Sequence, residues 1–297
     1  MAVPTLPDQR RERQALAYAL TAVALWSTVA TGFKLGLRVL DPVQLLFLGS
    51  LISCVFFMVA LLVSGQLAEL LRTPRGELVR YGCLGLLNPA GYYLILFEAY
   101  DRLPAQIAQP LNYTWAITLA ILAWPILGQR LDARVLAGIF ISYVGVLVLL
   151  SQGRWDAMPE IDGVGVTLAL VSTLIWASYW LVGTKNRATA LVVMTPGFVV
   201  GTLGVATVCA LTSGFPTFTA EVILYGAWVG LIEMGITFLL WQAALSRTRN
   251  AGRIGQLIFL SPFVSLVLIN FVLGEHVHLF SIVGLAGIVA GLAVSRR

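Results

Sequence analysis

Runs of apolar residues, each close to the length of one bilayer-spanning helix, fill almost the entire chain. They fall at 15–39, 43–64, 78–100, 105–127, 133–150, 163–184, 190–211, 222–245, 251–273 and 279–294, ten in all. A hydrocarbon core about 30 Å thick needs about 20 residues of helix to cross it. Composition removes the soluble alternative: 59% of the 297 residues are apolar and 11% are charged, where a soluble domain carries about 25% charged residues. So little charge cannot coat a globule of this size. With 3 Cys and 12 Pro, the chain is also no disulfide scaffold, collagen or disordered segment. The expected fold is an all-α polytopic membrane protein of ten transmembrane helices, with no room for a sizeable soluble domain.

The net charge of +5 would suggest nucleic acid as a partner in a soluble protein. Here the basic residues fall in short gaps between apolar runs and read as topology signals. With ten spans, Lys34, Arg38, Arg102 and Arg154 lie on one side and the other 15 of the 19 basic residues lie on the opposite side. Positive residues collect on the cytoplasmic face, so both termini are expected there. The polar stretch 8–13 leads into an apolar run too long for a signal-peptide core, and that run is expected to stay as a helix. Cys54, Cys83 and Cys209 sit inside apolar runs without metal-ligand spacing and are expected to be small buried hydrophobes.

The chain is also written twice. Gly85-Leu86-Leu87-Asn88 and Gly230-Leu231-Ile232-Glu233, which the reading places at the openings of helices three and eight, are 145 residues apart. Leu127-Gly128-Gln129-Arg130 matches Leu273-Gly274-Glu275-His276, and Gly138 and Gly145 match Gly284 and Gly291, at an offset of 146. Trp26 matches Trp176 at 150. This divides the chain into a cytoplasmic tail (1–14), a first five-helix repeat (15–150), an outer linker (151–162) and a second five-helix repeat ending in a short cytoplasmic tail (163–297). Five is odd, so the second copy enters the membrane inverted. Inverted repeats are the usual basis of alternating access in secondary transporters.

These features resemble the drug/metabolite transporter superfamily of EamA type, from about Leu16 to Val294. The resemblance rests on the doubled Leu-Gly-x-x blocks before the last helix of each half and on Trp26 and Trp176. Many members carry Glu where Gln129 stands, and the chain departs from them there. Leu111-Asn112-Tyr113-Thr114-Trp115 is similar to the YddG-like aromatic amino-acid exporters in particular. The resemblance implies translocation of small substrates, among them aromatic amino acids.

Polar side chains at mid-depth are costly unless they face a cavity or a partner. In the sixth run Ser172, Thr173, Trp176, Tyr179, Trp180 and Gly183 share one helical face. Gln109, Asn112 and Tyr113 do so in the fourth, flanked by Trp115, with Pro110 freeing a carbonyl nearby. Asn88, Tyr92 and Tyr93 lie in the third. Rings with polar tips suit a ligand that is part apolar and part polar, so these residues, with Trp26, are the candidate substrate-binding set. Trp124, Trp155 and Tyr225 read instead as interfacial belt residues. Glu233 is the one acid near the centre of a span, paired by the repeat with Asn88. It is the candidate coupling residue, as a proton carrier or a contact for a substrate ammonium group, with a purely structural carboxyl as the other reading. Glu98 and Lys34 are expected to snorkel to the headgroups. Helices five and ten, with Gly138, Ser142, Gly145, Gly284, Gly287 and Gly291 at close-approach spacing, are each expected to serve fixed packing rather than movement, while Pro42, Pro104, Pro196, Gly201 and Gly204 mark helix ends where bending is cheap.

The leading functional reading is an exporter or facilitator of small amphipathic metabolites, including aromatic amino acids, in a bacterial inner membrane. The alternative is a proton-coupled multidrug or metabolite antiporter. An intramembrane enzyme would need a constellation such as HExxH, GxSxG or paired aspartates, which the sequence lacks; His276 and His278 alone do not make a zinc site. No cofactor, metal or nucleic acid is expected. The expected partners are the substrate and the lipid bilayer, with the chain acting as a monomer or an oligomer.

Overall fold

A computed structural model describes residues 6–127, 133–154, 160–183, 188–248, 254 and 257–295, and the ordered elements among them are all helical. Gln129, Arg130, Trp155, Lys185, Arg187, Arg249, Arg253, Arg296 and Arg297, which enter the repeat, belt and charge readings above, lie outside the described residues.

Helix α1 comprises Leu6–Ser27 and, beyond a break at Thr28, Val29–Gly36. Helix α2 is Pro42–Val63, and a short helix, Leu67–Arg72, follows it. Helix α3 runs over 75–102 and α4 over 105–127, interrupted at Thr114. Then come α5 (Ala133–Ser151), α6 (Gly163–Gly183), α7 (Ala190–Leu211), α8 (Ala220–Arg247), α9 (Leu257–Leu273) and α10 (Leu279–Ser295). Six helices (α1, α2, α5, α6, α7 and α8) are individually long and apolar enough to cross a membrane, which makes the chain a multi-pass membrane protein.

Local chemistry sets the helix ends. Asp41 accepts from the N–H groups of Val43 and Gln44, both at 2.9 Å, with Pro42 at the first helical position. Asp162 does the same for α6 through Val164 (2.8 Å) and Gly165 (3.1 Å). Gly274 ends α9 at φ +70°, a conformation that suits glycine.

Packing follows a matched pattern. Helix α1 lies on α8 and α6 lies on α3, while α7 covers both α2 and α3. Helices α5 and α10 pack on each other, and more intimately than any other pair among the described residues: a Cβ added at Gly284 would meet the Gly145 carbonyl at 2.6 Å, and Ser142 Oγ donates to the Ile288 carbonyl at 3.1 Å. Large apolar side chains such as Phe140, Leu203 and Phe271 point outward.

Several expectations need correction. Lys34 does not snorkel: its ammonium donates to the carbonyls of Tyr100 (2.7 Å) and Leu103 (3.0 Å), satisfying the C-terminal end of α3. At the start of the next helix, Glu275 accepts from the N–H groups of Ala105 (3.1 Å) and Gln106 (3.3 Å), and Gln106 in turn bonds the His276 carbonyl at 2.9 Å. One cation and one anion thereby clamp the α3–α4 turn from two other parts of the chain, each complementing the helix dipole it faces. Glu98 pairs at the surface with Arg102 at 2.7 Å. Cys83 is exposed, unlike Cys54 and Cys209. Tyr225 is partly buried against the core beside Gly36, and Trp124 is exposed. Gly201 sits mid-helix, where a Cβ would lie 2.6 Å from the Gly85 carbonyl.

The α5–α10 seam yields a stability test. Gly284→Leu should lower the melting temperature in detergent sharply, because the clash is with backbone that cannot give way. Gly163→Leu, where an added Cβ meets nothing within 4 Å, should change it little; equal effects would contradict this packing.

Candidate functional site

Helices α3 and α8 each widen to a π-type turn in the middle, and those turns carry Asn88 and Glu233. In α3 the turn Leu86–Gly91 is wide, with Asn88 extended (φ −146°, ψ 117°) before Pro89, which has no N–H to donate. In α8 the wide turn is Trp228–Ile236, where the Thr237 hydroxyl donates to the Ile232 carbonyl. Such π-type turns expose side chains that a regular helix would point elsewhere. The doubled Gly-Leu-x-x segments, expected at helix openings, lie at these mid-helix turns, which puts Asn88 and Glu233 inside the bundle.

Around them the described residues form one linked set. Tyr93 Oη donates to Glu233 Oε1 at 2.7 Å, and the Trp26 side chain lies beside the same carboxyl. Tyr92 is edge-on to Tyr93 at 4.7 Å and stacks on Trp176 at 4.4 Å between ring centroids. Trp176 also stacks on Tyr179 at 6.0 Å and meets Trp115 and Trp180 edge-on at 6.5 and 5.8 Å. Tyr92 Oη donates to Asn112 Oδ1 at 3.1 Å, and Asn112 Nδ2 donates to Ser172 Oγ at 3.2 Å. The Tyr179 hydroxyl lies beside Asn88. Helix α6 supplies the aromatic face because Trp176, Tyr179 and Trp180 recur at spacings of three and four.

Gln109 and Tyr113 form a separate group. They are one turn apart on α4, and Tyr113 lies beside Ser261 of α9. Helical spacing predicts one face shared with Asn112; in α4, Asn112 is bonded to α6 and Tyr113 lies at α9.

Two further aromatic residues join the set unannounced. Phe238 lies 6.0 Å from both Trp26 and Trp176, edge-on to each, and Trp241 is 5.4 Å from Trp26. Phe238 stands at the 145-residue offset from Tyr93, so the repeat held the signal that locates it.

Many buried polar atoms here have no partner. Both amide atoms of Asn88, Glu233 Oε2, Gln109 Oε1, Trp180 Nε1 and the hydroxyls of Thr31, Ser261 and Ser265 are buried without a hydrogen bond. Buried polar groups are ordinarily paired, and leaving one dry costs roughly 1–3 kcal/mol. A concentration of such atoms beside stacked rings is what a site for a polar ligand requires. The chemistry available is recognition: ring faces for an apolar or aromatic group, and amide, hydroxyl and carboxyl groups for polar ends. No group of three His, Cys, Asp or Glu placed to hold a metal occurs among the described residues.

Comparison with known proteins places this geometry. Residues 13–151 and again 163–297 match the EamA-like transporter family. An uncharacterized transporter of Archaeoglobus fulgidus is 25% identical over 93% of this chain and 95% of its own length. A probable amino-acid metabolite efflux pump of Salmonella typhimurium is 26% identical over 93% of each chain. One crystal structure superposes with a TM-score of 0.66 at 24% identity, covering 94% of this chain and 95% of the other, so the two share a fold. With both halves of an all-helical, membrane-spanning chain matched, this protein belongs to the EamA-like transporter family and is a transporter rather than an enzyme.

Proposed function

We propose that the chain exports or facilitates the passage of small amphipathic metabolites, amino acids with aromatic side chains among them, by alternating access. The observation that carries this reading is the Trp176 cage. A ring stacked between Tyr92 and Tyr179, edge-on to Trp115, Trp180 and Phe238, adjoins the Tyr93–Glu233 pair and the unpartnered Asn88 amide. When the halves move apart, these rings offer π surface to the substrate side chain, and Glu233 offers a carboxyl to its ammonium group. The Salmonella relative, named for amino-acid metabolite efflux, agrees with it.

In this reading α1–α10 all span the membrane as two inverted five-helix repeats, 15–150 and 163–297, with both termini in the cytoplasm of a bacterial cell. The double family match at 13–151 and 163–297 supports that division. So does the exchange of contacts between halves, α1 on α8 and α6 on α3. Trp26 and Trp176 then face a shared path through Phe238, and rocking of the halves about that path opens it to each side in turn. A fluorescent protein fused to the C-terminus should fluoresce, and a periplasmic phosphatase fused there should be inactive; the reverse pair of results would overturn the orientation.

Counterflow in proteoliposomes tests the substrate class. Preloaded vesicles should take up labelled phenylalanine or tryptophan, and Trp176→Ala should raise the half-saturating concentration about tenfold, the loss of one or two ring contacts at about 1 kcal/mol each. Lack of uptake for every aromatic and aliphatic amino acid would refute the assignment.

Proton-coupled antiport is a second reading, and Glu233 favours it: its Oε2 is buried without a partner and its Oε1 is held by a neutral phenol. A carboxyl that binds a proton and a substrate in turn couples their movements. Glu233→Gln should then retain exchange but lose acceleration by an imposed pH gradient. An unchanged response to the gradient would rule out coupling through Glu233.

A further inference from the structure

Beyond the aromatic cage, a second set of unpartnered polar atoms lies where α1, α4 and α9 meet. Helices α4 and α9 run antiparallel, since Ala105 at the start of α4 bonds Glu275 just past the end of α9. Tyr113 lies beside Ser261. In an antiparallel pair one turn back on α4 meets one turn forward on α9, which sets Gln109 opposite Ser265. Thr31, on the second part of α1, belongs to a segment packed against both helices. Ser261 and Ser265 are fully buried and Gln109 and Thr31 more than nine-tenths so. The three hydroxyls and Gln109 Oε1 nonetheless make no hydrogen bond.

These hydroxyls are unusual for their setting. A Ser or Thr inside a helix ordinarily returns its proton to a carbonyl one turn back, as Ser27 and Thr195 do here. Ser261, Ser265 and Thr31 keep theirs free. Winding changes at the same place: α9 begins with a tight turn, Leu257–Leu260, and becomes α-helical at Ser261, with Pro262 in its first turn.

We propose that Thr31, Ser261 and Ser265, with the Tyr113 hydroxyl, form the subsite for the α-carboxylate of an amino-acid substrate. The inference rests on the amino-acid reading above and deepens it. Hydroxyl protons suit a carboxylate, which only accepts. Gln109 Oε1 and Glu233 are acceptors and suit the ammonium group, and the Trp176 cage takes the side chain. The two sets thus read the two ends of a zwitterion, and a substrate without the carboxylate leaves the hydroxyl set dry.

The test compares phenylalanine with phenylalaninamide, which keeps the ring and the ammonium group but not the carboxylate, in counterflow with the full-length protein. The unaltered protein should prefer phenylalanine, and Ser261→Ala together with Ser265→Ala should reduce the ratio of phenylalanine to amide exchange at least tenfold. Each single variant should reduce it by a smaller factor, which keeps the test alive if the double variant does not fold, as judged by its melting temperature. An unchanged ratio in the folded variants, or no preference in the unaltered protein, would overturn the subsite while leaving amino-acid transport standing. Failure of the unaltered protein to exchange any amino acid would overturn the transport reading and the carboxylate assignment together.

Discussion

A carboxyl inside a helical bundle in lipid must find its hydrogen bonds within the protein, and the contact between Tyr93 and Glu233 is where this chain meets that demand. It joins α3 and α8, the two long helices with wide turns in their middles. Regular winding would satisfy more backbone groups but would leave Asn88 and Glu233 differently aimed. The irregular turns are tolerable because their inner residues, among them Asn88, Pro89, Val229 and Gly230, are buried against other helices, and because side chains such as Thr237 take up carbonyls that the widened turn releases. Rings then close around the pair: Trp26 and Phe238 on one side, Tyr92 and Trp176 on the other.

The surrounding frame is built without help from the hydrophobic effect between helices, since lipid is as apolar as their surfaces. Close backbone approach takes its place. Glycines at the α5–α10 seam and the Gly85–Gly201 contact bring helices near enough for dispersion and carbonyl contacts to hold them. At one end of the bundle, Lys34 and Glu275 use charge for a local purpose, each satisfying backbone groups at one side of the α3–α4 turn. Neither residue is spent on a surface ion pair, which would contribute little.

Much of the candidate site was legible from spacing. Trp176, Tyr179 and Trp180 on one face of α6, and Asn112 one helix away, are joined in the structure by stacking and by the Asn112–Ser172 bond. Glycine periodicity likewise marked α5 and α10 as closely packed helices, though not that each is the other's partner. What spacing could not show was which neighbour a polar face would meet. Gln109, Asn112 and Tyr113 are close together on the helical wheel, yet Asn112 bonds α6 and Tyr113 reaches α9. Lys34 was misread because its acceptors, Tyr100 and Leu103, lie more than sixty residues away. Cys83, inside an apolar run, is exposed because that side of α3 faces outward.

Residue order alone therefore determined the environment and the scale of the elements: too little charge for water, apolar runs of spanning length, and a duplicated pattern of Gly, Trp and Leu-Gly-x-x. Those properties are local or periodic, so a one-dimensional string records them. Tertiary structure alone decided that the Gly-Leu-x-x segments become wide turns, that Phe238 completes the Trp176 cage and that Lys34 and Glu275 cap helix ends. It also decided that the hydroxyls of Thr31, Ser261 and Ser265 stay unpartnered. Each of these depends on which atoms from distant parts of the chain arrive within about 3 Å of one another, and that is set by helix packing rather than by any pattern along the sequence.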